Sequence, residues 1–427
     1  MDALVLLGSF SALCAMGMPV AYTLGLSCLI AALWVDIPLE AVMLKISDGT
    51  DDFALLAIPF FVLAGAIMAE GGMATRLVNL AKVLVGFIRG GLAVVNVLAS
   101  TFFAGVSGSS VADTASIGTV MIPQMVKAGY SRVFATNVTI CGSVQAVLIP
   151  PSHNAVIYSL AAGGTISIAH LFLAGVFPGL LFGFCLIGLI LMTAYRRGLP
   201  KSEPVPLRQA FKIALDAVWG LITMVIILGG ILGGVFTATE SAAVACVYAF
   251  FVTIFIYRDY KWHDLPRLIH RTVKTVAMVM MLIGFSAAFG YMMAIMQIPT
   301  RATEFFLTLT TNKYAMLFLV NVLLLGLGTF LDLAPMILIC TPILLPVVVK
   351  LGVDPVHFGM ILLVNGGIGL ITPPVGPTLF VGCALGRVTI EEVSRELWPF
   401  YAAMLFALLL VTYLPALSLW LPSLIKF

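Results

Sequence analysis

The sequence predicts an all-α polytopic membrane protein made of two inverted repeats, each with one re-entrant hairpin and one broken helix. The first observation is composition. The 427-residue chain is 61% hydrophobic and 10% charged, with a mean hydropathy of +1.14, whereas soluble domains carry about 25% charged residues. The second is a pair of adjacent prolines in each of two long apolar segments, Pro150-Pro151 and Pro373-Pro374. The third is a set of motifs that recur once, Pro373 following Pro150 by 223 residues.

Composition also excludes several classes of protein. Apolar runs near the roughly 20 residues of a membrane-spanning helix recur along the chain, and no long alternating-strand pattern indicates a β-barrel. The net charge of +3 gives no indication of nucleic-acid binding. The start, Met1-Asp2-Ala3, lacks the basic residues of a cleaved signal peptide, so the first apolar run is predicted to be a retained helix. The seven cysteines lie singly without a CxxC motif, and we interpret them as packing residues rather than disulfides or transition-metal ligands.

The first half is predicted to hold spans, a surface helix, a hairpin and a broken helix. Residues 3–35 are too long for one untilted span, and Gly17-Met18-Pro19 divides them into two spans or one broken helix. The hairpin is interrupted by the Gly/Ser-rich run 105–110, which predicts a tip inside the membrane. The remaining elements follow in order: a polar loop at 45–52, a span at 53–70, a surface helix within 71–90, the hairpin at 91–126, the broken helix at 133–162 and a span at 168–195.

A basic linker at 196–213 precedes the second half, which repeats this order. Two spans surround Thr237-Ala-Thr-Glu240 within 214–256, and a second basic loop covers 258–274. The later predicted elements are a span at 275–297, a surface helix at 298–313, a hairpin at 314–349, a broken helix at 356–385 and a last span at 395–421.

Ordered matches predict an internal duplication. The segment Val95-Asn-Val-Leu98 recurs as Val320-Asn-Val-Leu323, and Ile122-Pro123 corresponds to Leu345-Pro346. If the hairpins do not cross, each half has five crossings, and an odd number inverts the second half. The positive-inside rule agrees, because it places both basic loops in the cytoplasm. The first hairpin then enters from the cytoplasm and the second from the outside.

The hairpin tips and proline breaks are the candidate sites. Asp332 lies in the second tip, and a mid-membrane carboxylate costs about 2.5–3.5 kcal/mol, which usually indicates an ion or substrate path. It could also cap the following helix. The first tip has no acid there and offers hydroxyls and glycines instead. Asp113, just after this tip, could serve function or simply complement the helix dipole. The residues of the first tip are Gly105, Ser107, Gly108, Ser109 and Ser110.

Neutral oxygens near the breaks favour Na⁺ as the coupling ion. Prolines free carbonyl groups, and Ser152, Asn154 and Thr372 add hydroxyl and amide oxygens. His153 is the alternative, a proton relay, although a lone histidine is more often a packing group. Helix N-termini at the breaks and tips favour an anionic substrate. We expect the substrate cavity to involve Ser109, Pro150, Pro151, His153, Pro373 and Gly376.

Two other classes of protein share some of these features. Gly105-Val-Ser107-Gly108 fits the GxSG motif of intramembrane serine proteases, with His170 as a distant partner candidate. A protease has no use for an inverted duplication. Broken helices also occur in ion channels, but two dissimilar tips with a single acid suit alternating access better. We therefore expect a transporter without enzymatic activity.

The chain resembles the large membrane subunit of tripartite ATP-independent periplasmic (TRAP) transporters along nearly its whole length. The segments that carry the resemblance are ordered motifs. They are Gly17-Met-Pro-Val-Ala21, Ile58-Pro-Phe-Phe61, Gly105-Val-Ser-Gly-Ser-Ser-Val-Ala112, Pro150-Pro-Ser152, Thr237-Ala-Thr-Glu-Ser241, Leu331-Asp332, Asp354-Pro-Val-His-Phe-Gly359 and Thr372-Pro-Pro-Val-Gly376.

The resemblance implies an elevator-type, Na⁺-coupled importer in a bacterial inner membrane. Its partners would be a small four-helix membrane subunit and a periplasmic substrate-binding protein. Scaffold helices would lie at 1–70 and 214–297, arm helices at 71–90 and 298–313, and the two halves of a mobile transport domain at 91–195 and 314–427. One Na⁺ site would involve Ser107, Gly108, Ser109, Ser110, Ser152 and Asn154. The other would involve Thr329, Asp332, Gly369 and Thr372.

Two departures from the family pattern are present. Thr237-Ala-Thr-Glu240 lacks the proline that the family often carries, which puts only the local turn in doubt. His153-Asn154 replaces the common apolar residues after Pro-Pro-Ser and resembles the subset that transports sugar acids such as sialic acid rather than C4-dicarboxylates. The alternative function is a Na⁺- or H⁺-coupled anion transporter that works without a binding protein.

Overall fold

The computed structural model describes residues 2–201 and 203–424, and these residues fold into helices. The predicted ranges 1–70, 196–213 and 314–427 also include Met1, Ser202 and residues 425–427, which lie outside the described residues. Within the described part, six helices are long and apolar enough to cross a membrane, or up to nine if each bent helix pair is one span. This is fewer than the ten crossings predicted, because helices such as α1 and α2 are shorter than a full span.

Five helices precede the first hairpin. They are α1 (Asp2–Ala15), α2 (Val20–Val35), α3 (Leu39–Asp48), α4 (Ala57–Glu70) and α5 (Met73–Val85). Gly17, with φ +80°, and Pro19 separate α1 from α2, as the sequence predicted. The predicted polar loop at 45–52 is wrong for its first four residues. There α3 continues to Asp48 because it packs against a later helix, Leu265–Ile295.

The first hairpin consists of α6 (Gly91–Ser107) and α7 (Ser110–Lys127). The broken helix follows as α8 (Arg132–Ser143), the short α9 (Gln145–Leu148) and α10 (His153–Ala161), with a bend of 49° between the two parts. The Pro150-Pro151 bond is cis. The segment ends in α11 (Ile168–Arg197), close to the predicted span at 168–195.

Two predicted loops are partly helical. Pro206 precedes α12 (Leu207–Leu232), so the linker is shorter than 196–213. After α13 (Ala238–Phe251), α14 runs from Leu265 to Ile295, starting ten residues before the predicted 275. The basic residues at 267–274 were predicted to lie in a loop. They lie instead on a helix, which keeps their side chains mostly exposed. Thr237 and Glu240 form a capping box at the start of α13, so the turn holds without the family's proline.

The second hairpin and break have nearly the same lengths as the first. The helices are α15 (Ile298–Leu309), α16 (Lys313–Gly328), α17 (Leu333–Lys350), α18 (Pro355–Gly369) and α19 (Pro377–Gly386). Helix α17 has 18 residues, as α7 does, and both of its ends lie 223 positions after those of α7. Pro373-Pro374 is also cis. The predicted last span at 395–421 is divided into α20 (Ile390–Glu396), α21 (Trp398–Tyr413) and α22 (Ala416–Ser423), with prolines 399 and 415 at the divisions.

The two halves interlock around the first hairpin. Helix α6 is almost wholly buried and contacts α4, α5, α8 and α11. Helix α19 of the second half packs on α7 and α8, while α18 packs on α9 and α11. The two proline breaks therefore share one core, with the first tip at its centre.

Candidate ion and substrate site

The first tip lies directly against the first proline break. Helix α6 ends at Gly108, whose φ is +60°, and Ser109 starts α7 by accepting a hydrogen bond from the Ala112 N–H at 3.4 Å. A Cβ on residue 108 would overlap the carbonyl oxygen of Pro151. Glycine is required here both for the left-handed backbone conformation and for the close approach of the two chain segments.

The serines predicted for the first Na⁺ site are brought together, but their hydroxyl groups differ in their hydrogen-bond partners. Ser110 Oγ lies 3.0 Å from Ser143 Oγ and accepts from the Thr378 hydroxyl at 3.1 Å. Ser152 Oγ donates to the Val147 carbonyl at 2.7 Å. Ser107 Oγ is buried and has no hydrogen-bond partner among the described residues. Hydroxyl oxygens keep acceptor capacity after donating, so this tip offers hard neutral oxygens to a cation.

Buried polar groups continue behind this tip. Asn154 is 4% exposed. Neither carboxylate oxygen of Asp113 has a hydrogen-bond partner in the part of the chain that the structure describes, although the side chain is fully buried. Unpaired buried polar atoms are rare and call for a binding or catalytic explanation.

At the second site, the end of α16 contacts the second break through glycines. Gly328 Cα packs on Gly369, and the Val375 N–H donates to the Thr329 carbonyl at 3.2 Å. Thr372 Oγ1 donates to the Ile368 carbonyl at 2.8 Å. The end of α16 and the second break are thus held in direct backbone contact, as at the first tip.

Asp332 has the capping role considered from the sequence. Its Oδ1 accepts the Leu333 N–H at 2.8 Å at the start of α17. The side chain lies at the surface of this chain, as does its neighbour Phe330.

A cavity of about 690 Å³ opens between α4, α5, α7 and α14. Of its lining residues, Ser107, Ser109 and His153 are buried or half-buried and define its deep end, whereas Glu70 and Arg271 are exposed and define its mouth. Ser109 and His153 were expected in a substrate cavity. Pro150, Pro151, Pro373 and Gly376 do not line this one. The first two prolines are buried behind the tip.

Sequence reasoning missed the polar residues that α14 contributes to the cavity. Arg271, Thr272 and Thr275 face it from one side of the helix. Their spacing of one helical turn was the available signal. The basic residues of 258–274 predict a loop instead, and a loop has no helical spacing.

The mouth of the cavity carries a hydrogen-bonded ion pair. Arg271 Nη1 lies 2.9 Å from Glu70 Oε1, and the Tyr260 hydroxyl lies 3.0 Å from Glu70 Oε2. Burial and the neighbouring Glu70 carboxylate raise the pKa of Tyr260 to about 12. The phenol is therefore protonated at neutral pH and can donate to Glu70.

Neither a serine protease nor a transition-metal centre finds support in this geometry. A nucleophilic serine needs a hydrogen-bonded base, and Ser107 Oγ has no such partner among the described residues. Over the same residues no group of three His, Cys, Asp or Glu side chains could hold a metal ion.

Comparison with known proteins agrees with this picture. Residues 7–417 match the family model described as "Tripartite ATP-independent periplasmic transporter, DctM component". The uncharacterized protein YgiK of Salmonella typhimurium is 43% identical over 99% of this chain and 97% of its own length. The C4-dicarboxylate TRAP transporter large permease protein DctM of Rhodobacter capsulatus is 39% identical over all of both chains. The sialic acid TRAP transporter large permease protein SiaM of Vibrio cholerae is 39% identical over 88% of each chain.

A solved structure shares the fold. The crystal structure of the Alcanivorax borkumensis YdaH transporter superposes with a TM-score of 0.61, covering 90% of this chain and 89% of that one. The sequence identity is 16%, so this likeness concerns architecture alone.

Proposed function

The chain belongs to the family of DctM components of tripartite ATP-independent periplasmic transporters, and from that premise we propose that it imports an organic acid coupled to Na⁺. The family resemblance inferred from the sequence is confirmed. The matched proteins are transporter permeases rather than enzymes, which also confirms the prediction that the chain is not an enzyme.

The cavity carries the proposal for an organic acid. Its deep end receives the N-terminus of α7 at Ser109 and that of α10 at His153. The positive ends of these helix dipoles favour a carboxylate there. Free hydroxyls such as Ser107 Oγ add hydrogen-bond donors. The substrate is a sugar acid such as sialic acid or a C4-dicarboxylate, and His153-Asn154 favours the sugar acid.

Na⁺ is proposed as a co-substrate at both tips. At the first tip the ligands are Ser107, Ser110 and Ser152 with backbone carbonyls near Gly108. The supporting observation is an unpaired buried hydroxyl beside carbonyls that proline frees. At the second tip, Asp332 Oδ2 and the oxygens of Thr329 and Thr372 supply one charge and several neutral ligands. Carboxylate and hydroxyl oxygens are the ligands that hard cations prefer.

The transport step is proposed to be an elevator movement. Helices α4 and α14, in the scaffold, form one wall of the cavity, and α7, in the mobile transport domain, forms the other. Sliding of α7 past α4 and α14 would carry the tip and its ligands across the membrane. The mouth lies beside the basic segment 258–274, which the positive-inside rule places in the cytoplasm. This arrangement therefore corresponds to a cavity open to the cytoplasm.

The proposed setting is a bacterial inner membrane, with a small four-helix membrane subunit and a periplasmic binding protein as partners. Reconstitution of the permease with the small subunit in proteoliposomes tests this. We expect uptake of N-acetylneuraminate or succinate only with the cognate binding protein and only with Na⁺. Uptake without the binding protein would favour the alternative anion transporter, and uptake unchanged when K⁺ replaces Na⁺ would refute Na⁺ coupling.

A further inference from the structure

Arg271 differs from the other residues of the cavity lining in its charge. Among the described residues that line it, Arg271 is the one arginine or lysine. It lies on the second turn of α14, near the mouth, and its side chain is 76% exposed. Ser109, at the start of α7, and the exposed Thr119, about three turns along the same helix, both line the cavity. At about 1.5 Å per residue, the lining thus extends roughly 15 Å along α7.

Glu70, the ion-pair partner of Arg271, has a second hydrogen-bond donor within reach. Glu70 binds Arg271 through Oε1 at 2.9 Å, while its Oε2 faces the Tyr260 hydroxyl at 3.0 Å. If Arg271 turned to another anion, the Tyr260 hydroxyl, which also lies 3.0 Å from the Asp264 carbonyl, could donate its one proton to Glu70. An exposed ion pair contributes little to stability, so the exchange of one carboxylate for another on Arg271 costs little.

We propose that Arg271 is an anion-binding residue at the mouth of the cavity, paired with Glu70 when the cavity is empty and with the substrate carboxylate during passage. The identity of the substrate in this proposal rests on the proposed function. The attraction of anions to Arg271 does not depend on it. The guanidinium would draw the acid from the helix N-termini at the deep end towards the mouth. Glu70 would then displace it and complete its release.

Thiol modification measures the attraction without any transport. Thr275 lies one turn beyond Arg271 and lines the cavity, and Cys14 and Cys185 are the described cysteines that are not buried. With these two replaced by serine, Thr275→Cys provides a reporter in the cavity. We compare its modification rates by an anionic and a cationic methanethiosulfonate reagent in the purified full-length permease.

A unit charge about 6 Å away changes the local concentration of a monovalent ion roughly threefold in water. Arg271→Gln should therefore lower the anionic-to-cationic rate ratio roughly tenfold, and Arg271→Lys should restore much of it. Glu70→Gln should raise the ratio. Arg267→Gln is the matched control, because Arg267 lies on the same helix outside the cavity lining, about 12 Å from the reporter. Arg267→Gln should change the anionic-to-cationic rate ratio less than about twofold, because its distance from the reporter exceeds the Debye length. Equal effects of Arg267→Gln and Arg271→Gln would overturn the proposal.

Exchange in proteoliposomes tests the role in passage. Arg271→Gln should raise about fivefold the concentration of N-acetylneuraminate or succinate that half-saturates exchange from the cytoplasmic face. Glu70→Gln should lower it. Half-saturation from the other face should stay unchanged for both. Failure of wild-type protein to exchange either acid would count against the proposed function, and the thiol rates would still decide the anion site. Exchange with wild-type half-saturation in Arg271→Gln would refute the role of Arg271.

Discussion

The two tip-and-break regions share a backbone plan and differ in chemistry. In each, a hairpin tip contacts a proline break through glycine, with Gly108 at Pro151 in the first and Gly328 at Gly369 in the second. Ser107 in the first region is 5% exposed, whereas the residue 223 positions later in the second, Phe330, is 66% exposed.

The helix caps show the same contrast. Ser109 starts α7 and Asp332 starts α17 at equivalent positions, and both accept a backbone N–H. The first cap is neutral and the second is a carboxylate, although the first turn of α7 contains a buried carboxylate of its own at Asp113. The two tips therefore share a backbone geometry and differ in their burial and in the side chains that they carry.

The largest effect is expected from Gly108→Ala. The added methyl would overlap the Pro151 carbonyl and place a side chain at φ +60°, so the tip would separate from the break and uptake should fall more than tenfold. Gly129→Ala is the control, since φ there is +94° with no atom within 4 Å of the added methyl. It should cost about 1 kcal/mol and preserve uptake. Normal uptake by Gly108→Ala would show that the tip contact is dispensable.

Asp332→Asn separates the charge from the cap. Asparagine caps helices about as well as aspartate, so the protein should remain folded while Na⁺-dependent uptake falls at least tenfold. Asp332→Ala should abolish uptake and also lose the cap. Asp354→Asn, at the start of α18, is the control, because Asp354 caps through the Val356 N–H at 2.8 Å away from either tip. Its uptake should match wild type. If Asp332→Asn does so too, the ion site at the second tip is wrong.

Asn96 and Asn321 occupy the same position in the two Val-Asn-Val-Leu segments, and their replacement should affect stability to different extents. Asn321 donates to Thr412 Oγ1 at 3.0 Å and accepts from Asn365 at 2.8 Å. Asn96 donates to Thr139 Oγ1 at 2.7 Å, and its Oδ1 has no partner in the described structure. Asn321→Ala should therefore lower the free energy of unfolding by about 1–3 kcal/mol, and Asn96→Ala by about 1 kcal/mol. Denaturant unfolding in detergent measures both, and the reverse order would contradict the assigned hydrogen bonds.

The smallest effect is expected at the serines of the first tip. Ser110→Ala removes two hydroxyl contacts and should cost about 1 kcal/mol of stability. Ser107→Ala removes a buried hydroxyl that has no partner, so the unfolding free energy should be unchanged or slightly higher. The Na⁺ concentration for half-maximal uptake should nevertheless rise severalfold in Ser107→Ala. A loss of stability without any change in Na⁺ dependence would show that Ser107 is a packing residue.

Much of the fold followed from local chemistry in the sequence. Adjacent prolines cannot continue a helix, so both breaks were predictable at Pro150 and Pro373. The glycines and serines of 105–110 indicated the first tip, and the outer ends of both hairpins lie within one residue of the predicted 91–126 and 314–349. The basic residues of 258–274 predicted a loop, and this prediction is wrong from Leu265 onwards. Arg267 and Arg271 lie there as exposed residues of α14.

The sequence by itself determined the all-helical membrane class, the two paired breaks and tips, the family and the identity of most residues at the tips. These depend on backbone chemistry and on hydrophobic length, which are local properties. Only the tertiary structure decided that Asp332 is exposed while Ser107 is buried, and that Arg271 and Glu70 meet across the mouth of the cavity. Burial and ion pairing depend on which helices pack together, and α4 and α14 are about two hundred residues apart in the chain.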